Sequence, residues 1–356
     1  MGGARGKRGT FAVAPFDLNG VSVLAGSMAT VDLAISRLST HTPLALPVRV
    51  LHGTRPGPVM FVSACVHGDE IIGVEIIRRL LSRISPKRLT GTLLLIPVVN
   101  VLGFIMHQRY LPDRRDLNRS FPGTSRGSLA GQLAHAFSSQ IISRCQLGID
   151  IHSAALHRSN LPQIRISSGR PAAFELAMAF GAPAVISAPL RPGSLRQMAA
   201  EMDVDVLVYE SGEALRFDEL AIRVGVKGVL RVMAHQGMLR RSEGDEVPAR
   251  PVVSQRTHWI RAPQGGIFRA TRRPGELVQA GATLGHLSDP FGDSDQPVTA
   301  HTEGLIIGRS NLPIVNQGDA LMHIAQVKSF HTAGERIEGI AEEALSDPFF
   351  DEDEIL

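Results

Sequence analysis

Apolar and polar residues follow two alternating patterns along the chain up to about residue 245. Short runs of consecutive apolar residues, bounded by Gly, Pro or polar residues, predict buried strands. These runs are residues 59–66, 92–99, 147–151 and 204–209. Segments in which apolar residues recur every three or four positions predict helices. These segments are residues 70–84, 128–144, 172–180, 192–202 and 218–236. The alternation predicts an α/β fold whose sheet is mixed but largely parallel, with helices on both faces.

The pattern changes near residue 250, where a Pro-rich linker ends the helical segments. Short β-like runs separated by Gly and Pro turns occupy residues 257–326, which predicts a small all-β domain. We therefore divide the chain into four parts. They are an irregular or short-stranded lead-in (1–45), a large α/β domain (46–250), a small β-rich domain (251–330) and an acidic tail that begins as a helix end (331–356).

Composition excludes several classes of protein. The 356 residues include 37 basic and 34 acidic side chains, two Tyr and one Trp, so the chain lacks the basic and aromatic surface of a nucleic-acid-binding protein. No apolar run is long enough to span a membrane. The two cysteines, Cys65 and Cys145, lie in apolar patterns typical of core residues and form no disulfide framework. We expect a cytoplasmic protein.

Metal-ligating side chains follow two of the predicted strands. His67 and Glu70 come after the strand at 59–66, and His152 ends the strand at 147–151. A lone His-x-x-Glu is more typical of a surface turn, but both clusters are expected at the carboxyl edge of the sheet, where such folds bind ligands. His and Glu ligands with an open position suit a catalytic zinc ion. Asp150 is a candidate partner for the other ring nitrogen of His152.

Two further polar segments complete the candidate site. A general base is expected at the end of the strand at 204–209, where Glu210 is favoured over Glu213. The long polar loop after the strand at 92–99 contains Arg109, Asn118 and Arg119. Arg side chains bind carboxylates through paired hydrogen bonds and stabilise developing oxyanions.

Four motifs in this order resemble the succinylglutamate desuccinylase/aspartoacylase family, a branch of the zinc carboxypeptidase-like hydrolases. They are His67-Gly-Asp-Glu70, Asp116-Leu-Asn118-Arg119, Asp150-Ile-His152 and Glu210-Ser-Gly212. The resemblance covers residues 45–245 and extends to the trailing β-rich segment. It implies a zinc-carboxypeptidase-like fold and one zinc ion (Zn2+) per chain, held by His67, Glu70 and His152.

The resemblance also implies roles for the remaining residues. Glu210 would be the general base and later the proton donor, and Arg109 would polarise the scissile carbonyl. Asn118 and Arg119 would hold a substrate carboxylate, and Arg196 would hold a carboxylate of the acyl group. The chain departs from the family in two respects. The interval of nine residues from Arg109 to Asn118 is longer than in some members, and neither of its two tyrosines, Tyr110 and Tyr209, matches the late tyrosine that some relatives place in the pocket.

The expected reaction is hydrolysis of a linear amide in a small N-acyl amino acid or related N-acylated carboxylate. Two alternatives stay open at this point. One is a metallocarboxypeptidase that acts on peptide C-termini, and the other is a catalytically silent binding protein of the same fold. We expect a small-molecule partner, no nucleic acid and no membrane, and the sequence is compatible with a homo-oligomer.

Overall fold

The computed structural model describes residues 13–240, 250–327 and residue 330. Up to residue 254 its strands are β1 (Phe16–Leu18), β2 (Val21–Val23), β3 (Ser27–Arg37), β4 (Pro43–His52), β5 (Arg55–Ala64), β6 (Thr90–Ile96), β7 (Leu147–Ala154), β8 (Arg158–Ser167), β9 (Ala184–Ala188), β10 (Asp205–Glu213) and β11 (Val252–Ser254). Its α-helices are α1 (Ile72–Arg83), α2 (Val101–Ile105), α3 (Leu129–Gln140), α4 (Pro171–Phe180), α5 (Leu195–Glu201) and α6 (Glu219–His235).

The C-terminal region described by the structure is built from short strands. They are β12 (Thr257–Arg261), β13 (Gly266–Ala270), β14 (Leu277–Val278), β15 (Thr283–Ser288), β16 (Asp295–Thr299), β17 (Gly304–Ser310), β18 (Ile314–Val315) and β19 (Ala320–Gln326). Four of them form a separate antiparallel sheet in the order β16-β15-β13-β18. The expected β-rich C-terminal region is therefore present.

One large sheet runs through both regions. Its strand order is β12-β19-β17-β8-β10-β7-β5-β6-β4-β3, with β9, β11 and β14 paired beside this path. The central strands β6, β5, β7 and β10 are parallel, whereas β8 runs antiparallel to β10. Because β17 pairs with the first half of β8, which lies beside the carboxyl end of β10, the C-terminal strands extend the main sheet at that end.

Helices cover both faces of this sheet, which is the predicted arrangement. Apolar residues of α1, α4 and α6 pack on one face, in a core that includes Ile76, Phe180 and Tyr209. Those of α3 and α5 pack on the other face, in a core that includes Phe61 and Phe137. Both faces of β5 and β7 are therefore buried, which explains why these strands read as continuous apolar runs.

The strands and helices predicted for the α/β part agree with the structure to within a few residues. The expectation of an irregular or short-stranded lead-in agrees with the three-residue strands β1 and β2 but is wrong for β3, an 11-residue strand paired with β4. As an edge strand it buries only part of one face, so Ser and Thr interrupt its apolar pattern. The sequence also gave no expectation of β4, β8, β9, β11 or the short helix α2. Residues 248 and 249 of the predicted linker (248–251) and the whole acidic tail (331–356) lie outside the described residues.

Candidate metal centre and substrate pocket

The candidate site lies at the carboxyl edge of the parallel strands. Strands β5, β7 and β10 run in the same direction, so the residues that end them meet at one edge. His152 on β7 is paired in register with Glu210 on β10, and the segment after β5 brings His67 and Glu70 to the same place. The sheet topology thus assembles three motifs that are far apart in the sequence.

The turn after β5 is tightly constrained. Cys65 directly follows β5 and has a φ of 53°, a left-handed conformation that is uncommon for a residue with a side chain. At Gly68 an added Cβ would lie 2.0 Å from the carbonyl carbon of Gly103, so only glycine fits between the two segments. This close approach to α2 fixes the direction in which His67 and Glu70 project.

Three buried side chains converge at this turn. Nδ1 of His67 lies 2.8 Å from Oε1 of Glu70, and Nδ1 of His152 lies 2.7 Å from Oε2 of the same carboxylate. One ligand atom from each residue lies within 4.8 Å of the others. These are the three residues that the resemblance implies as metal ligands.

Carboxylates hold the opposite side of each imidazole. Nε2 of His67 lies 3.2 Å from Oδ1 of Asp116, and Nε2 of His152 lies 2.8 Å from Oδ2 of Asp150. Asp150 is in turn held by the hydroxyl of Ser63 over 2.8 Å. Histidines that bind metals usually donate their other ring N–H to such a group, which fixes the ring and its tautomer.

The donor set fits a divalent cation. Although Nδ1 of His67 is close to Glu70, it is buried and has no hydrogen-bond partner among the described residues. Burial favours the neutral form of Glu70, but His67 and His152 hold the pKa of Glu70 well below its usual range. An anionic carboxylate between two imidazole nitrogens, one of them without a hydrogen bond, is the chemistry of a His/Glu/His zinc site.

Arg109 lies against this cluster. Its Nη1 donates to Oε1 of Glu70 over 2.7 Å, and its Nη2 lies 3.7 Å from Oδ2 of Asp116. The structure therefore places Arg109 at the site, in contact with the candidate ligand Glu70. The backbone carbonyl of Arg109 also accepts from the backbone N–H of Gly68, so the loop and the turn support each other.

Asn118 and Arg119 lie on a short 3-10 turn that packs against the start of α5. The side-chain oxygen of Asn118 accepts from the backbone N–H of Leu195 over 2.9 Å. Both residues line the pocket, together with Arg196 of α5. Nη2 of Arg196 donates to the carbonyl of Pro189 over 2.8 Å, whereas its Nη1 is buried without a partner among the described residues. Burial and the nearby Arg165 and Arg191 lower the pKa of Arg196 to about 10.

The two candidate bases occupy different environments. Glu210 lines the pocket, where the side-chain amide of Asn160 donates to its Oε2 over 3.1 Å. Glu213 instead accepts from the backbone N–H of His157 and from the side chain of Asn311, each over 2.9 Å. Both oxygens of Glu213 are thus hydrogen-bonded to two loops. Of the two glutamates, only Glu210 lines the pocket.

The cleft beside the cluster has a volume of about 220 Å³. Six arginines and two glutamates, Glu70 and Glu210, are among its lining residues. The arginines are Arg109, Arg119, Arg158, Arg165, Arg191 and Arg196. This excess of positive charge suits a negatively charged small molecule.

Sequence reasoning missed several of these lining residues. Asn160 and Arg165 belong to β8, which the sequence did not predict, and Trp259 reaches the pocket from β12 through strand pairing. Arg158 at the start of β8 also lines the pocket, whereas the neighbouring His157 does not. The mixed polar and apolar residues of 158–167 were the one local signal for β8, and no local signal pointed to Trp259.

The cysteines are core residues, as expected. Cys65 and Cys145 are both buried, and burial raises the pKa of each thiol far above its usual value. Neither thiol is suited to act as a nucleophile.

No helix within the described residues is long and apolar enough to cross a membrane.

A comparison with known protein families identifies the family that the four sequence motifs resemble. The family model of the succinylglutamate desuccinylase/aspartoacylase catalytic domain matches residues 56–236. N-alpha-acetyl-L-2,4-diaminobutyric acid deacetylase from Halomonas elongata is 26% identical over 293 residues, which cover 76% of this chain and 83% of that protein.

Solved structures share the fold. A succinylglutamate desuccinylase/aspartoacylase from Rhodobacter sphaeroides superposes with a TM-score of 0.75 at 24% identity, covering 85% of this chain and 95% of that one. The product-bound ectoine utilization protein EutE (DoeB) from Ruegeria pomeroyi gives a TM-score of 0.75 at 22% identity, covering 88% and 98%.

Proposed function

Because the chain belongs to the succinylglutamate desuccinylase/aspartoacylase family, we propose that it is a zinc-dependent hydrolase of linear amides. It removes the acyl group from a small N-acyl amino acid or a related carboxylate-bearing compound. The observation that carries this proposal is the convergence of His67, Glu70 and His152 in a pocket that also contains Glu210 and several arginines. The deacetylase activity named for the Halomonas elongata relative supports the same reaction class.

His67, Glu70 and His152 would hold the zinc ion, and Asp116 and Asp150 would keep the two imidazoles oriented. A zinc ion held by these residues would lower the pKa of water towards neutral pH and would polarise a carbonyl group. Arg109 stabilises the negative charge of Glu70 through its 2.7 Å contact and presents positive charge beside the reacting carbonyl.

Glu210 transfers a proton from the attacking water to the leaving group. As general base it accepts a proton from the attacking water, and it then delivers this proton to the leaving amine nitrogen. Asn160 holds Oε2 of Glu210, which leaves Oε1 facing the pocket near Arg165. Asn118 and Arg119 orient the substrate through its carboxylate, and Arg196 holds a carboxylate of the acyl group where the substrate has one. Guanidinium groups bind carboxylates in a defined geometry.

The small size of the pocket favours a deacylase over a carboxypeptidase. Trp259 of the C-terminal region supplies part of the pocket wall, which narrows the space that a peptide chain would need. A catalytically silent binding protein is disfavoured because all three candidate ligands and the candidate base are present.

The test is a substrate screen with the purified full chain. We expect N-acetyl and N-succinyl amino acids to be hydrolysed more efficiently than short peptides, with turnover lost on chelation and restored by zinc. Preference for peptides would favour the carboxypeptidase. Absence of hydrolysis of every compound by zinc-loaded protein would contradict the proposal.

A further inference from the structure

One hydroxyl lies within the apolar run that forms the end of β5. Ser63 carries the single hydroxyl of residues 59–66, and it is fully buried. A buried hydroxyl is unfavourable unless it is hydrogen-bonded. The hydroxyl of Ser63 donates to Oδ1 of Asp150 over 2.8 Å, because β5 and β7 are parallel neighbours in which these two residues are paired. The sheet register thus places a donor beside the carboxylate that holds His152.

The carboxylate of Asp150 has one side-chain partner on each oxygen. Among the side chains that the structure describes, Oδ1 is bonded to Ser63 alone, and Oδ2 to Nε2 of His152 alone. Two anchors prevent the carboxylate from turning about its Cβ–Cγ bond, whereas one anchor leaves it free to turn. If the hydroxyl were absent, Oδ1 would be buried without a hydrogen bond, which is unfavourable where water is excluded.

The other imidazole of the cluster is held differently. Oδ1 of Asp116 lies beside Nε2 of His67 and also accepts from the backbone N–H of Asn118 over 2.8 Å. Oδ2 of Asp116 lies 3.7 Å from Nη2 of Arg109, and this carboxylate is partly exposed. Asp116 therefore keeps several partners when any one is removed. Asp150 is buried and has no such substitutes, so a single hydroxyl determines how firmly it is held.

The orientation of Asp150 decides which nitrogen of His152 is available to a metal ion. An ionised carboxylate can only accept, so Nε2 of His152 carries the proton and Nδ1 offers its lone pair on the side of Glu70. Groups that hold the far nitrogen of a metal-binding histidine fix its ring, and their replacement commonly weakens metal binding by about 10–100-fold.

We propose that Ser63 is a positioning residue for the metal centre. Through Asp150 it fixes the imidazole of His152, and it thereby tightens the binding of zinc by the three-residue cluster. The inference deepens the proposed function and rests on its zinc site. Because Ser63 acts through two hydrogen bonds and does not line the pocket, its contribution is to metal affinity and not to contacts with the substrate.

Zinc affinity measured without turnover tests this proposal. The full chain is freed of metal, and its Kd for zinc is determined by competition with a chromophoric chelator. We expect Ser63→Ala to raise this Kd by about 10-fold, the lower end of the effect of such outer groups. A purely structural role would destabilise the zinc-free and zinc-bound chains equally and would leave the Kd unchanged.

Two further variants make the comparison specific. Ser138→Ala is the matched control, because Ser138 on α3 is also buried but its hydroxyl has no hydrogen-bond partner among the described residues. It should keep the wild-type Kd. Ser63→Cys fills nearly the same space with a weaker donor and should give an intermediate Kd, which guards against misfolding of Ser63→Ala.

A double-mutant cycle shows whether Ser63 acts through Asp150. Asp150→Ala alone should weaken zinc binding by about 10–100-fold. Adding Ser63→Ala to Asp150→Ala should cause no further loss, because the carboxylate that the hydroxyl positions is already absent. Denaturant unfolding of each zinc-free variant confirms that the compared proteins are folded.

An unchanged zinc Kd in Ser63→Ala and Ser63→Cys would overturn the inference and leave the proposed function in place. Equal losses from Ser63→Ala in the wild-type and Asp150→Ala backgrounds would also overturn it, since the hydroxyl would then act independently of Asp150. Failure of the proposed function gives a different result. Zinc-loaded wild type would hydrolyse no N-acyl compound while the difference in Kd persists, whereas wild type that binds no zinc would contradict both.

Discussion

Asn160 donates a 3.1 Å hydrogen bond from its side-chain amide to Oε2 of Glu210. Asn160 lies on β8, which pairs with β10 on one side and with β17 on the other. In the pairing with β17, Asn160 lies opposite Gly308. A Cβ added at Gly308 would lie 2.7 Å from Oδ1 of Asn160, so a glycine at this position leaves room for the amide. The C-terminal strands thus determine where the amide that holds the candidate base can lie.

Replacing Asn160 should impair turnover more than binding. We expect Asn160→Ala to lower kcat about 10-fold with little change in KM, because a charge-assisted hydrogen bond to the base is lost. Steady-state kinetics on the best substrate measures this. Asn311→Ala is the matched control, since Asn311 makes the same kind of bond to Glu213. Equal losses in both variants would indicate a general structural effect.

Glu210 and Glu213 can be separated by amide substitution. Glu210→Gln should lower turnover by at least about 10²-fold, the usual contribution of a general acid–base group, while zinc stays bound. Glu213→Gln keeps the shape of the side chain and should retain most activity, because its contacts are to His157 and Asn311. A large loss in Glu213→Gln alone would transfer the role of base to that residue.

Metal content tests the three-residue cluster directly. Plasma emission spectroscopy of the purified wild type should find about one zinc ion per chain, as expected of a three-residue His/Glu/His set with an open fourth position. His67→Ala and His152→Ala should each lose the metal, whereas His235→Ala, at an exposed position at the end of α6, should keep it. Wild-type protein that takes up no metal when zinc is offered would contradict the assignment of these ligands.

The turn at Gly68 should not tolerate a side chain. Gly68→Ala places a Cβ 2.0 Å from backbone atoms that cannot move aside, so we expect a loss of about 1–3 kcal/mol in the free energy of unfolding. Denaturant unfolding measures it. Gly265→Ala serves as the comparison, because the nearest atom to its added Cβ, the backbone oxygen of Val315, lies 3.5 Å away. Similar stability of the two variants would show that the turn can relax.

His323 should make stability depend on pH. Burial, followed by the nearby Arg165 and His258, lowers the pKa of His323 to about 3 in the folded chain, whereas a histidine in an unfolded chain titrates near about 6.5. Below about pH 6.5 the unfolded chain therefore binds a proton that the folded chain does not, and stability falls as the pH drops. His323→Phe keeps a ring against Trp259, on which the imidazole stacks, and does not titrate.

Urea unfolding at pH 7.5 and pH 5 provides the measurement. The free energy of unfolding should fall less between these two conditions in His323→Phe than in wild type. His235→Phe shows whether a His-to-Phe change alters the slope by itself. Parallel pH dependence in wild type and His323→Phe would contradict a buried neutral His323.

Much of the candidate site could be predicted from local sequence. His67, Glu70, His152 and Glu210 each follow a short apolar run, and the carboxyl ends of parallel strands meet at one edge of a sheet. Local periodicity and this one rule of topology were sufficient to bring them together, and the family followed from the four motifs. Local pattern was also sufficient for the helices, because each buries one periodic apolar face.

Only the tertiary structure decided the rest of the pocket. The choice between Glu210 and Glu213 depends on which carboxylate faces the cleft. Their separation of three residues in the sequence does not decide this, because the pairing register of β10 with β7 shifts between them. Asn160, Arg158 and Arg165 reach the site because β8 runs antiparallel to β10, and Trp259 because β12 joins the same sheet through β19. Such contacts arise from pairing between distant strands, which the periodicity of neither strand encodes.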